Sequence, residues 1–257
     1  MFRFGGHLSG FNAMNYIVRN LDNVLIGKFV GAAALGIYSR AYQLLLLPLS
    51  QINGPISNVA VPALSRLQND PQRYRAYHRK MVMLVCALSM PVVAFLFVSA
   101  DHAVRLMLGP KWMEAVSIFR LLGPAAFIGT FNVASGWVFV SLGQTDRQFK
   151  MGIVVAALTV AAFFAGIPWG ARGVAAAFSI SVCVLRWPTL VYCFKATPLR
   201  MGDLGRAIWL PTLTSIGAGA ALLAMRWTVL SHTVHPVVAF AVEGIAYGET
   251  RWKAPAK

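Results

Sequence analysis

Apolar runs about as long as a bilayer is thick recur along the chain, separated by short polar connections. A helix needs about 20 residues to cross a hydrocarbon core of roughly 30 Å. Eight runs qualify as predicted spans, near residues 8–28, 35–63, 79–100, 116–141, 151–168, 171–194, 207–228 and 232–248. The second contains Pro48, Pro55 and Pro62, which predicts a kinked or broken helix. Membrane helices tolerate such breaks where neighbours satisfy the freed backbone groups. The last run is short, holds Glu243, and has His232 and His235 at its entrance. Two connections have a character of their own. Gln68 to Lys80 is polar and basic and reads as the largest loop on its side. Asp101 to Glu114 is half apolar, with Trp112 and a Gly109-Pro110 turn; it reads as a short amphipathic helix in the interface or as an ordinary interfacial loop. Gly31 to Gly36 and Gly170 to Gly173 echo one another as glycine- and alanine-rich turns opening helices, too faintly for a repeat.

Composition narrows the class. Of the 257 residues 58% are hydrophobic and only 12% charged, with a mean hydropathy of +0.63. An average globular domain is about half apolar and about one quarter charged. Half the usual charge cannot clothe a solvated surface, which excludes a soluble enzyme, a nucleic-acid-binding domain and a disordered chain. The net charge of +15 points to nucleic acid only where the charge clusters on one soluble face. Here Lys and Arg are strung between apolar runs, as anchors facing anionic headgroups would be. With both termini placed in the cytoplasm, 14 of the 23 basic residues fall on the cytoplasmic side, six on the other and three within spans. That distribution obeys the positive-inside rule. Cys86, Cys183 and Cys193 all lie in apolar runs, without metal spacing or a disulfide framework, and read as small packing residues. Arg3, His7, Asn12, Asn15 and Arg19 interrupt the N-terminal region, so no cleavable signal peptide is expected.

The first span holds the candidate chemistry. It contains Asn12, Asn15, Arg19, Asn20, Asp22 and Asn23. At about 100° per residue, all but Asn20 share an arc of about 100°, with Met14, Ile17, Val18, Leu21, Val24 and Leu25 opposite. An Arg near the bilayer centre costs about 2.5–3.5 kcal/mol on the insertion scale, so it is expected to face a bundle interior or a wet cavity. Arg19 and Asp22, three residues apart, are placed to pair. The stripe can glue two helices together or line a hydrated cavity. Five polar groups exceed what packing needs, and the Arg leans the ligand toward an anion. In the fourth span Asn132 and Ser135 share a face, whereas Arg120 sits in the outer turn, an interface anchor before a ligand. Arg186, followed by Trp187 and Pro188, reads as an anchor within snorkelling reach of the cytoplasmic surface. Glu243 is open to a proton-relay reading.

Motifs for catalysis are missing. No paired carboxylates sit on a soluble loop, and no His-x-x-x-x-Asp, Gly-x-Ser-x-Gly or Walker sequence occurs. A membrane-embedded transferase or polymerase would need a large catalytic loop, and no outer connection exceeds roughly 15 residues by the span lengths. No metal site and no cofactor are expected, and the chain reads as a non-enzyme.

The stretch NLDNVLIGKFVGAAALGIYSRAYQLLLLPLSQI, continuing to VAVPALSRLQND, resembles the WzxC-like polysaccharide flippases of the multidrug/oligosaccharidyl-lipid/polysaccharide exporter superfamily. LGPKW at Leu108 to Trp112, Gly136-Trp137, SLGQTDR at Ser141 to Arg147 and PWGARGVA at Pro168 to Ala175 support it, in order over residues 1 to 195. The resemblance implies an all-α integral membrane protein, its eight or so helices forming one lobe of a two-lobe transporter, with both termini cytoplasmic. Residues 1–195 would be the six spans of the C-terminal lobe, the first being the seventh helix of the whole fold. Residues 196–257 would add two further spans and a basic cytoplasmic tail. The implied activity is translocation of undecaprenyl-diphosphate-linked sugar repeat units across the bacterial plasma (inner) membrane by alternating access. The N-terminal lobe would come from another chain or a second copy, and polysaccharide polymerases are the further partners suggested. In such a protein Arg19 would contact the diphosphate, while Asn12, Asn15 and Asn23 hydrogen-bond sugar hydroxyls. Asp22 would hold Arg19 or respond to a coupling ion, and Arg120, Asn132 and Ser135 are secondary candidates. The alternatives are a non-transporting remnant or half-transporter subunit, and a multidrug-type exporter of the same superfamily. That exporter would ask for unpaired carboxylates in its cavity.

Overall fold

The computed structural model describes residues 2–195, 197–228 and Tyr247. Among them every regular element is helical. Seven long helices, α1 (Phe2–Phe29), α2 (Ala32–Arg66), α3 (Pro71–Val98), α5 (Ala115–Ser141), α6 (Thr145–Gly166), α7 (Gly170–Phe194) and α8 (Met201–Thr228), accompany the short α4 (Ala100–Met107). Five stretches are long and apolar enough to cross a membrane: Ala32–Arg66, Pro71–Val98, Ala115–Ser141, Thr145–Phe194 (which spans α6 and α7) and Met201–Met225. α1 is not among them, because Arg19, Asp22 and four asparagines interrupt its apolar residues. The expected span at 232–248, with Glu243, lies outside the described residues.

Of the two outcomes expected for α2 the break does not occur: the helix is continuous through Pro48, Pro55 and Pro62, since membrane neighbours can compensate the missing backbone donors. A second expectation is corrected. Only 68–70 of the basic stretch lies between helices; from Pro71 on it is helix and not loop. Asp70 caps α3, its side chain accepting the backbone N–H groups of Gln72 at 3.2 Å and Arg73 at 3.1 Å, with Pro71 in the first turn. An Asp cap followed by Pro at the first helical position is a strong start signal, and it outweighs the polarity of the first turns of the helix. The half-apolar connection does form a helix, α4, closed by Gly109 at φ 94° and a 3-10 turn over Pro110–Trp112. The faint glycine echo has a conformational basis, since Gly31 and Gly170 both hold positive φ immediately before or at the start of a helix, a region closed to most side chains.

The bundle has two ends. At the basic end α2, α5 and α7 finish and α3, α6 and α8 begin; at the α4 end the reverse holds. α5 sits centrally against α2, α3 and α7; α1 packs on α6 and α2, and α8 flanks the bundle on α3. Two buried clusters result. One, toward the α4 end, includes Ile26, Tyr38, Phe119, Leu122 and Phe163. The other, toward the basic end, includes Tyr74, Val82, Met90, Trp137 and Cys193. Within lipid, helices associate by close packing and hydrogen bonding rather than by exclusion of water. Fully or nearly fully buried Ala41, Ala100, Ala103, Ala115 and Ala175 provide that close approach, and Trp137 Nε1 donates to Ser57 Oγ at 2.9 Å to join α5 to α2. Ile180, Val184 and Trp187 of α7 lie exposed along one face, as lipid-facing residues do. Cys86 and Cys193 are buried and Cys183 is half-buried, all as free thiols.

Candidate functional site

A cavity of about 400 Å³ lies between α1, α2, α5, α6 and α7. α1 contributes Phe11, Asn15, Val18 and Arg19 to its wall. α2 adds residues from Tyr42 to Asn53, and α5 adds Asn132 and Ser135 among small and apolar neighbours. α6 brings Gln148 and Thr159, and α7 brings Arg186 and Thr189. The lining is mostly apolar with a few convergent polar groups, the usual character of a ligand site. Among the described residues two arginines and no carboxylate line it.

The polar stripe of α1 is divided by its neighbours. Asn15 and Arg19 line the cavity. Arg19 is exposed and takes no ion-pair partner among the described residues. Asp22 turns the other way, is 2% exposed, and accepts the Tyr38 hydroxyl of α2 at 2.7 Å and the Asn23 backbone N–H at 2.7 Å. The expected Arg19–Asp22 pair therefore does not form; the phenol sixteen residues away reaches the carboxylate across the α1–α2 seam. Asn12 is exposed and outside the cavity. Asn23 also lies outside it, half-buried, with its Oδ1 buried and unpartnered. Asn20, off the stripe, donates to the Tyr16 carbonyl at 2.7 Å.

α5 divides in the same way. Asn132 and Ser135 line the cavity, whereas Arg120 lies outside it and meets Asp101 at 3.3 Å near the α4 end. The anchor reading of Arg120 agrees with that position. The anchor reading of Arg186 does not. α7 continues eight residues beyond it to Phe194, which sets the guanidinium about 12 Å inside the basic end at 1.5 Å per residue. There it is half-buried, lines the cavity and donates to Asn132 Oδ1 across the α5–α7 contact. The expected span already reached residue 194, so depth was legible in sequence; what sequence did not show is that the cavity lies on the Arg186 side of α7. Gln148, Asn53 and Thr159 are further cavity residues that sequence reasoning passed over. Thr159 is a single polar residue in an apolar run, Gln148 lies in the polar segment before the expected span at 151–168, and Asn53 sits among Ser50, Gln51 and Ser57 with no charge to single it out.

Known proteins place this arrangement. A family model described as "Polysaccharide biosynthesis protein" matches residues 1–117. The teichuronic acid biosynthesis protein TuaB of Bacillus subtilis is 29% identical over 66% of this chain and 35% of its own length. The lipopolysaccharide biosynthesis protein WzxC of Escherichia coli is 25% identical over 83% of this chain and 44% of its own. The chain thus spans less than half the length of these relatives. Among solved structures, the lipid II flippase MurJ in an inward closed conformation superposes with a TM-score of 0.74, at 15% identity, over 92% of this chain and 50% of that one. An outward-facing multidrug resistance MATE transporter superposes with a TM-score of 0.63 over 98% of this chain and 64% of that one, at 14% identity. The chain is thus similar in sequence to polysaccharide biosynthesis proteins, WzxC among them, as its resemblance implied; it shares the fold of those solved transporters and is a multi-pass protein of the inner membrane.

Proposed function

We propose that this chain forms the C-terminal lobe of a flippase that moves undecaprenyl-diphosphate-linked sugar repeat units from the cytoplasmic to the periplasmic leaflet. It acts as a transporter by alternating access and not as an enzyme. The observation that carries this reading is the cavity wall itself: Arg19 and Asn15 converge with Asn132 and Ser135 on one space free of carboxylates. A guanidinium is a strong partner for a diphosphate, because its planar fork donates two parallel charge-assisted hydrogen bonds. The neutral amides and hydroxyls suit sugar hydroxyls. A multidrug-type exporter is less well served, since Asp22, the one carboxylate on the stripe, is closed by Tyr38. Residues 1–195 supply the six lobe helices and 196–257 an appended part, eight spans in all, with both termini and the basic end on the cytoplasmic side. The facing lobe comes from further sequence, another chain or a second copy, and polysaccharide polymerases receive the translocated unit.

Complementation of a flippase-deficient strain tests the reading. This chain with a supplied N-terminal lobe should clear lipid-linked repeat units from the cytoplasmic leaflet, and the empty vector should not. The chain alone should leave them there, and full rescue by a protein shown to be monomeric would sink the two-lobe requirement. Cysteine labelling from the periplasm should reach Leu108–Trp112 and miss Asn69–Arg79; the reverse pattern would invert the orientation and the direction of transport.

A further inference from the structure

Four polar atoms on the walls of the cavity are buried without a hydrogen-bond partner: Arg186 Nε, Ser135 Oγ, Gln148 Oε1 and Asn53 Oδ1. Ser135 is only 4% exposed and Gln148 only 7%. A buried polar group left unpaired is costly even in a soluble protein, and more so at membrane depth, where no bulk water can substitute. Several of them on one surface mark a place prepared for something that enters. The group nearest in charge is Arg186, one of whose five N–H donors is taken by Asn132 Oδ1. That contact orients the guanidinium and leaves the Nε edge free. Ser135 can donate or accept, and the amides of Gln148 and Asn53 can turn either end toward a ligand. Arg19 is the only other charged residue on the lining among the described residues, so a cation is repelled and an oxyanion is drawn in.

Depth separates the two arginines. Arg19 lies ten residues from the α4 end of α1, and Arg186 sixteen residues from the α4 end of α7. At 1.5 Å per residue they sit about 15 Å and about 24 Å from that end, so about 9 Å apart along the bundle. A ligand entering from the basic end meets Arg186 first.

We propose that Arg186, with Asn132, Ser135, Gln148 and Asn53, forms a phosphoryl-binding subsite that is complete within this single lobe and distinct from the station at Arg19. It rests on the flippase reading only in making the phosphoryl group part of a lipid-linked diphosphate; the same chemistry would take free diphosphate, and the test separates the two sources. The whole chain, in nanodiscs of phosphatidylcholine without a second lobe, is titrated with inorganic pyrophosphate and, separately, with farnesyl diphosphate, by calorimetry. Saturable binding of both, or of farnesyl diphosphate alone, is expected; the second result assigns the site to a lipid headgroup, and tighter binding of pyrophosphate assigns it to the free anion. Arg186→Gln should weaken binding about tenfold or more, as loss of a charge-assisted partner does. Arg186→Lys should restore only part, since a point charge lacks the fork. Arg120→Gln, outside the cavity, should change nothing. Ser135→Ala separates binding from folding: removing an unpaired buried hydroxyl should leave the thermal midpoint unchanged or raised, while binding weakens about threefold. Absence of binding at millimolar ligand, or binding indifferent to Arg186→Gln, overturns the subsite. Either result leaves the complementation experiment free to succeed, so the two readings fail separately.

Discussion

At the basic end of the bundle, Tyr74 Oη and Ser141 Oγ close a 2.8 Å hydrogen bond between α3 and α5. Beside them Arg147 divides its guanidinium between Gln144 Oε1 at 2.9 Å and the Tyr192 carbonyl at 2.8 Å, over the Tyr192 ring. Arg75 donates to the Pro198 carbonyl. The cavity, built from the same residue types, treats them differently: Arg186 Nε, Ser135 Oγ and Gln148 Oε1 are buried in its wall without a hydrogen-bond partner. His78, with its Nε2 unpartnered, is the exception at the basic end. The contrast separates two uses of polarity in a membrane protein. Where donors and acceptors saturate one another, they join helices; where they are held apart by a cavity, they are available to a ligand. Asp22 belongs to the first kind and Arg19 to the second, although three residues of one helix separate them.

The largest test of that division is Arg19→Ala in a two-lobe transporter. Flipping should fall about 10- to 100-fold, the loss expected for a hydrogen bond to a charged group, read as accumulation of lipid-linked repeat units. Membrane insertion should survive, because removing a charge from a span lowers its transfer cost. Arg19→Lys should recover part of the activity. Adding Asp22→Ala should not restore transport, since Asp22 is held by Tyr38; a double variant that transports normally would return Arg19 to the helix seam. Next in size is Tyr38→Phe, which strands a buried carboxylate and should cost about 1.5–3 kcal/mol. Thermal unfolding in detergent would read this, and a Tyr38→Phe/Asp22→Asn double change should recover most of it. The smallest effect is expected at the basic end: Tyr74→Phe should cost about 0.5–1.5 kcal/mol, the ordinary worth of a neutral hydrogen bond, with flipping unchanged. A transport defect there would erase the distinction between the two regions.

Hydropathy alone located the seven long helices now described, because the thickness of a bilayer and the period of a helix are local constraints that each run satisfies by itself. The polar stripe of α1 was equally legible, as was the outward place of Arg120. The start of α3 was legible in principle, since Asp70-Pro71 is a local signal, but the polarity of the turns behind it hid the helix. Partners were another matter. Periodicity states which way a side chain leaves its helix and not which helix stands there. The Tyr38–Asp22 contact joins residues 16 apart and the Arg186–Asn132 contact residues 54 apart, distances over which no sequence spacing reports. Only the packing of α1 on α2, and of α5 on α7, decided that Asp22 is closed, that Arg186 is a cavity residue rather than an anchor, and that Asn12 and Asn23 stand outside the space their stripe pointed toward. Helix formation is settled by neighbours along the chain, whereas pairing is settled by which faces meet in three dimensions.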